Sequence, residues 1–348
     1  MSDDDDVLPA HRFDEARLEA WLTANLPGFE GPMSVREFHA GQSNPTYRLT
    51  TPGASYVLRR KPPGKLLPSA HAVDREYRIM SALADSDVPV PRTYLLCDDE
   101  SVVGTMFYVM DFLDGRIFFD PRLPEIASAA GRGAMFDEMN RVIAALHTVD
   151  YKAAGLGDFG REGGYVARQI GRWSKQYKAS ESETIDAMER LMAWLPENLP
   201  ADDETTLVHG DYRLDNMVFH PSEPRVIGVL DWEIATLGHP LADFAYHVMA
   251  WRLSPDEFRG LRGSDLGALG IPDEAAYTAA YARRTGRDAL PDWEFYMAYN
   301  LFRMAAILQG IMGRVRDGTA ANPEAEAMGA LVRPLAERGW QQVEKIGG

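Results

Sequence analysis

The sequence predicts an α+β fold in two lobes: a small antiparallel β lobe with one helix, then a larger helical lobe with an embedded β-hairpin. Three observations carry this. Residues 34–112 alternate short β-branched and aromatic runs with turn signals. From about residue 125 amphipathic helical stripes take over. At 207–231 two apolar strand-like runs return around the turn "HPSEP".

In chain order, "MSDDDD" is a block of like charge and reads as a solvated tail, and a leading helix completes residues 1–28. "SVREFHA", "PTYRLTT" and "ASYVLRRK" read as strands, punctuated at Gly41 and at "TPG" (51–53). "SAHAVDREYRIMSALADS" follows as a helix, with Ser69 as its N-cap and Val73, Tyr77, Met80 and Ala84 at helical spacing. "VPRTYLLCDD" and "TMFYVMDFL" close the first lobe, residues 29–113. The second lobe, 114–348, opens on a stripe of Met135, Phe136, Met139, Val142, Ile143 and Leu146 and includes the long helix "DWEFYMAYNLFRMAAILQGIMGRV".

The chain carries 52 acidic against 36 basic residues, a formal net charge of −16, and no basic stripe, which excludes nucleic acid as a partner. Its single cysteine, Cys97, lies in an apolar run and reads as core packing in a reducing compartment. No run is long and apolar enough to span a bilayer, and no signal peptide is visible, so the expected location is cytoplasmic.

"LVHGDYRLDNMVF" (207–219) sets His209, Asp211, Arg213, Asp215 and Asn216 inside an apolar frame. Buried carboxylates need a partner. The strands after Asn216 and before Asp231 form a hairpin, which brings those two residues to the same end, each with an oxygen to offer. Mg²⁺ takes a few hard oxygen ligands and keeps waters and phosphates for the rest.

"HGDYRLDN" (209–216), "VLDWE" (229–233) and "GHPLADFAY" (238–246) resemble, in this order, the aminoglycoside phosphotransferase and choline kinase family, whose fold is protein-kinase-like. "YVLRRKPPGKLLPSAHAVDREYRIM" and "FRMAAILQGI" resemble more narrowly the kinase-type domain that some acyl-CoA dehydrogenases carry. The resemblance implies a nucleotide-binding first lobe and a catalytic, acceptor-binding second lobe. It makes Asp211 the residue that orients or accepts the proton of an attacking hydroxyl, Asn216 and Asp231 the Mg²⁺ ligands, and His209 and Asp243 braces for the catalytic loop.

A kinase needs a cation on its third strand paired with a helix glutamate. Glu76 shares the inward face of its helix, and "YVLRRK" offers Arg59 and, by alternation, Lys61. The family usually carries Lys there, and alignment puts Arg59 in its place. Ser43 and Asn44 are the polar cover for the phosphates, in a loop holding one glycine, Gly41. Asp111 and Leu113, in the connector "VMDFLDG", are positioned to hold adenine through the backbone.

Between Asp231 and Asp243 only residues 232–242 remain, too few for an activation segment, and Gly210 stands where protein kinases carry Arg. A small-molecule hydroxyl acceptor follows. The expected activity is ATP- (or other nucleoside triphosphate-) and Mg²⁺-dependent phosphate transfer to such a hydroxyl, with a hydroxyacyl-CoA or hydroxy acid as acceptor. The alternatives are an aminoglycoside acceptor, or a nucleotide-binding protein without transferase activity. Arg213, Tyr165, Gln169, Trp173 and Arg303 are the acceptor-site candidates, and Arg314 and Arg316 further cations on the last long helix.

Overall fold

The computed structural model describes residues 4–38, 44–64, 71–316 and 325–347. The chain divides into two compact units, residues 1–117 with 216–235, and residues 118–215 with 236–348.

The first unit is built on an antiparallel sheet of β1 (Asp4–Asp5), β2 (Ser34–Phe38), β3 (Thr46–Thr50), β4 (Ser55–Arg60), β5 (Thr93–Cys97) and β6 (Phe107–Asp111), in spatial order β1-β2-β3-β4-β6-β5. Part of the acidic tail is thus in register, with Asp4 opposite Phe38 and Asp5 opposite Glu37. Backbone pairing asks nothing of the side chains, and Asp6 meets Arg36 at 3.2 Å.

Strand alternation gives the sheet two different faces. Tyr56 and Leu58 of β4 join Leu18 and Leu22 of helix α1 (Glu15–Asn25) in a core that also takes Cys97. Arg60 points to that side as well. It is buried, with its guanidinium donating to the Tyr47 hydroxyl and to the carbonyls of Val103 and His11. Val57 and Arg59 face the other way, as does helix α2 (Val73–Leu83). Its buried stripe is Val73, Glu76, Ile79, Met80 and Leu83, so Tyr77 and Ala84 turn out of it. Ala84 is the C-cap, and the inward Glu76 sets the rotation of the helix. Ser69 and Gly41 lie outside the described residues.

The hairpin within residues 216–235 belongs to this first unit. Its strands, Met217–Phe219 and Val226–Val229, pair antiparallel. Arg116 and Phe219 exchange backbone hydrogen bonds of 2.8 Å, and Val229 N–H donates to the Pro89 carbonyl. These long-range bonds, not sequence position, decide where the hairpin packs.

The second unit is helical, with a two-stranded ribbon of Thr206–Val208 and Thr236–Gly238. Its helices include α3 (Ala129–His147), α4 (Tyr165–Ser180), α5 (Asp186–Glu197), α6 (Pro240–Val248), α7 (Glu274–Arg284), α8 (Trp293–Arg316) and α9 (Val332–Ile346). The stripe Met135, Phe136, Met139, Val142, Ile143 and Leu146 is buried on α3 as its spacing predicts. From Phe295 to Ala306 every residue of α8 is buried, so this helix is core on all sides. Among the described residues no helix is long and apolar enough to cross a membrane.

His247, on α6, sits among aromatic rings, 5.2 Å from Tyr212 between centroids and 2.8 Å from the Tyr277 hydroxyl. Burial lowers its imidazole from 6.5 to about 4. The unfolded chain therefore takes up the proton first as pH falls. The stability this provides is complete above about pH 6.5 and disappears by about pH 4, a loss of about 3 kcal/mol. His247→Gln is expected to flatten that part of the pH dependence in urea unfolding; an unchanged slope would contradict it.

Candidate active site

Within the first unit, Arg59 lies at the centre of a buried charge cluster. Its Nε stands 2.9 Å from Glu76 Oε2, and its Nη2 donates to Asp231 Oδ1 at 2.9 Å. Glu76 accepts two further bonds, from the Tyr108 hydroxyl and from Asn44 Nδ2, each 3.0 Å. Burial pushes Glu76 up to about 7, against the pull of Arg59. Burial alone would lower the Arg59 value, but Glu76 and Asp231 more than reverse this and hold the guanidinium charged.

The cluster lines a cavity of about 220 Å³, with Val57, Met80, Met110 and Leu113 supplying apolar wall. Gly228 lets the wall close: a Cβ there would lie 2.2 Å from Leu113 Cδ1. Asp111 lines the same cavity, its carboxylate taking the Tyr94 hydroxyl at 2.5 Å and its N–H bonded to the Arg92 carbonyl. Asn44 is buried and braces Glu76, with its own oxygen 3.0 Å from His71 Nδ1. Lys61 falls beyond the end of β4, and its Nζ stands 3.5 Å from Asp74. The structure thus brings Arg59 to Glu76 and leaves Lys61 with Asp74. Ser43 lies outside the described residues.

Asn216 and Asp231 occupy the same end of the hairpin, since Met217 pairs with Val229 and the Asn216 carbonyl accepts the Leu230 N–H at 2.8 Å. Asp231 has φ 63, a left-handed conformation that costs a residue other than glycine about 1–3 kcal/mol and is found most often at functional sites. One carboxylate and one amide oxygen suit a hard divalent cation that retains water and phosphate ligands. Among the described residues there is no cluster of three or more His, Cys, Asp or Glu side chains able to hold a metal.

Within the second unit, Asp243 organises the loop that carries His209, Gly210 and Asp211. Its Oδ2 accepts the His209 N–H and its Oδ1 the Gly210 N–H, both at 2.8 Å, and His147 Nε2 stands 3.2 Å away. Burial would raise the Asp243 value, but His147 and the charge and backbone of His209 hold it below the usual carboxylate range. His209 accepts the Asp211 N–H at Nδ1, 3.2 Å away, and so braces the loop. Gly210 has φ 83, which explains a glycine there: its N–H reaches Asp243 while its carbonyl accepts Arg303 Nη2 at 2.7 Å.

Asp211 receives the Tyr246 hydroxyl at 2.6 Å, and Arg213 Nε lies 3.2 Å from the same oxygen. Burial, and then the Asp211 charge, raise the Tyr246 value, so the phenol stays protonated as a donor. No role for Tyr246 follows from the sequence motifs, although it was within reach: it stands three residues after Asp243, on the same face of α6. Arg213 also pairs with Asp215 at 3.2 Å, and Asp215 with Arg259 at 2.5 Å.

Tyr165, Gln169 and Trp173 recur every four residues along α4 and share one face. Arg303 is buried, with its guanidinium carbon 5.8 Å from the Trp173 ring centre and 4.8 Å from that of Tyr246. The structure thus joins Trp173 and Arg303 to the catalytic loop. Arg314 and Arg316 are exposed at the far end of α8, with Arg314 roughly 16 Å along the axis from Arg303.

The profile of the phosphotransferase enzyme family matches residues 34–299. Acyl-CoA dehydrogenase family member 10 of Mus musculus is 47% identical over 320 residues, covering 91% of this chain but only 30% of that relative. A crystal structure from Ralstonia eutropha, provisionally named an aminoglycoside phosphotransferase, is 56% identical with a TM-score of 0.89, covering 96% of this chain and 99% of that one. An aminoglycoside phosphotransferase in ternary complex with AMP-PNP and hygromycin B shares the fold, at 16% identity and a TM-score of 0.60, over 93% of this chain and 98% of its own. The fold is therefore protein-kinase-like, and the chain belongs to the phosphotransferase enzyme family.

Proposed function

We propose that the chain moves the terminal phosphate of ATP to a hydroxyl of a small molecule, with a hydroxyacyl-CoA or related hydroxy acid as acceptor. The observation that carries the nucleotide half is the convergence of Arg59, Glu76 and Asp231 on one cavity. The cavity takes the base and ribose between Val57, Met80 and Leu113, near the backbone of Asp111. Arg59 presents a planar donor set to the phosphates, where it can bind two oxygens at once. Asn216 and Asp231 hold Mg²⁺, which when bound neutralises charge on the phosphate oxygens. AMP-PNP in the related complex supports a nucleotide of this kind.

Asp211 orients the acceptor hydroxyl and takes its proton as the oxygen bonds to the terminal phosphorus and the bond to the departing nucleoside diphosphate breaks. Tyr246 and Arg213 fix its carboxylate. The acyl-CoA dehydrogenase relatives, of which the chain spans 30% and 44% of the length, favour the acyl acceptor. The name of the Ralstonia eutropha protein favours a second reading, an aminoglycoside acceptor. The buried, unpaired Cys97 supports a cytoplasmic setting.

The test is transfer from labelled ATP with Mg²⁺ to a panel of hydroxyacyl-CoAs, free hydroxy acids, aminoglycosides, choline and sugars. Phosphorylation of an acyl compound supports the first reading and of an aminoglycoside the second; MgATP binding with no transfer to any of them would return the chain to the nucleotide-binding proteins without transferase activity. Asp231→Ala is expected to raise the Kd for MgATP at least about tenfold, while nucleotide without metal binds as before. Equal Mg²⁺ dependence in both proteins would remove Asp231 from the metal site.

A further inference from the structure

A second cavity lies wholly within residues 118–215 and 236–348. One part of its lining is the catalytic loop, through Tyr212, Arg213, Leu214 and Asp215. Most of the remainder is apolar, with Phe136, Met139, Trp251 and Leu253 among the side chains. The rim carries Phe119, 57% exposed, with the Arg259 guanidinium 5.7 Å from its ring centre and tied to Asp215. Tyr246 and Arg213 each touch Asp211 and also line this cavity, so the catalytic carboxylate and the apolar space are one side chain apart.

The cavity measures about 70 Å³. At about 10–15 Å³ for each water-sized group, it holds roughly five such groups, and a methylene is of similar size. The cavity adjoins the loop through Tyr212, Arg213, Leu214 and Asp215. Its volume of about 70 Å³ is too small for a sugar ring system, and amino and hydroxyl groups entering it would lose their hydration without finding enough partners.

We propose that this cavity is a tail pocket, taking the unbranched alkyl chain of a hydroxylated acyl compound whose hydroxyl lies at Asp211. The assignment rests on the reading of the chain as a kinase of hydroxy compounds. It adds the determinant of acceptor length: the chain grows into the apolar space past Tyr246 and Arg213, toward the exposed rim at Phe119 and Arg259.

Calorimetric binding of straight-chain hydroxyacyl-CoAs, from butanoyl to decanoyl, to the full chain tests this. Each added methylene is expected to tighten binding about fourfold, until roughly five methylenes are housed. Ala250→Leu, which fills part of the lining, is expected to end that gain at shorter chains. Phe119→Ala lies on the exposed rim, where it leaves the core intact, and is expected to weaken only the longest members. Affinity independent of length in the wild type, or a gain per methylene that neither substitution changes, would overturn the pocket. Phosphate transfer to the same compounds reports separately on the kinase reading. Length-dependent binding without transfer keeps the pocket and sinks the kinase, whereas transfer with a flat length profile does the reverse.

Discussion

Asp211→Asn is expected to reduce phosphate transfer about 10³-fold while MgATP still binds with near-native affinity. The asparagine keeps the volume and can still accept the Tyr246 hydroxyl, so the loop geometry survives. What disappears is the proton acceptor, together with the charge that faces Arg213. Nucleotide affinity is the necessary control, because Arg59, Glu76 and Asp231 form the cluster assigned to the nucleotide. Single-turnover transfer and equilibrium MgATP binding, measured on the same preparation, separate the two effects. Transfer within a few-fold of wild type would remove Asp211 from proton handling, and a matching loss of nucleotide binding would show a folding defect instead.

Asp243→Asn is expected to act on stability, lowering it by about 3–5 kcal/mol. The carboxylate accepts two backbone N–H groups, one on each oxygen, and faces His147. An amide can accept only one of those N–H bonds, and its NH₂ then points a donor at the other. A buried N–H is left without an acceptor, at about 1–3 kcal/mol, and the attraction to His147 and His209 goes with the charge. Urea unfolding followed by tryptophan fluorescence measures this. A change below about 0.5 kcal/mol would place Asp243 among ordinary surface positions. The two substitutions therefore separate the chemistry of one short loop from the helix residue that holds it.

Arg59, Glu76, Asp231, Asp211 and Asp243 are all legible in the sequence, because each belongs to a motif whose spacing constrains its neighbours. The inward direction of Glu76 follows from helical periodicity, and the choice of Arg59 follows from the likeness of "YVLR" to the family's strand. Lys61 was equally eligible by alternation, and only the end of β4 at Arg60 removes it from the cluster. Tyr246 was visible as a residue but not as the donor to Asp211. That bond joins positions thirty-five apart, and neither local pattern requires it.

By itself the sequence determined the order of elements, the apolar stripes and the polar motifs, since these depend on periods of two and 3.6 residues and on fixed local spacings. Tertiary structure alone decided the rest. It placed the hairpin 216–235 with the first unit through bonds to Pro89 and Arg116, and turned Arg60 into a core brace while Arg59 faced Glu76 and Asp231. It required a glycine at 210 by asking one residue to reach Asp243 through its N–H and Arg303 through its carbonyl. It also opened an apolar cavity beside the catalytic loop from residues spread between Phe119 and Leu261. The physical reason is the same in each case: local pattern sets which face a side chain takes, but long-range packing sets what that face meets.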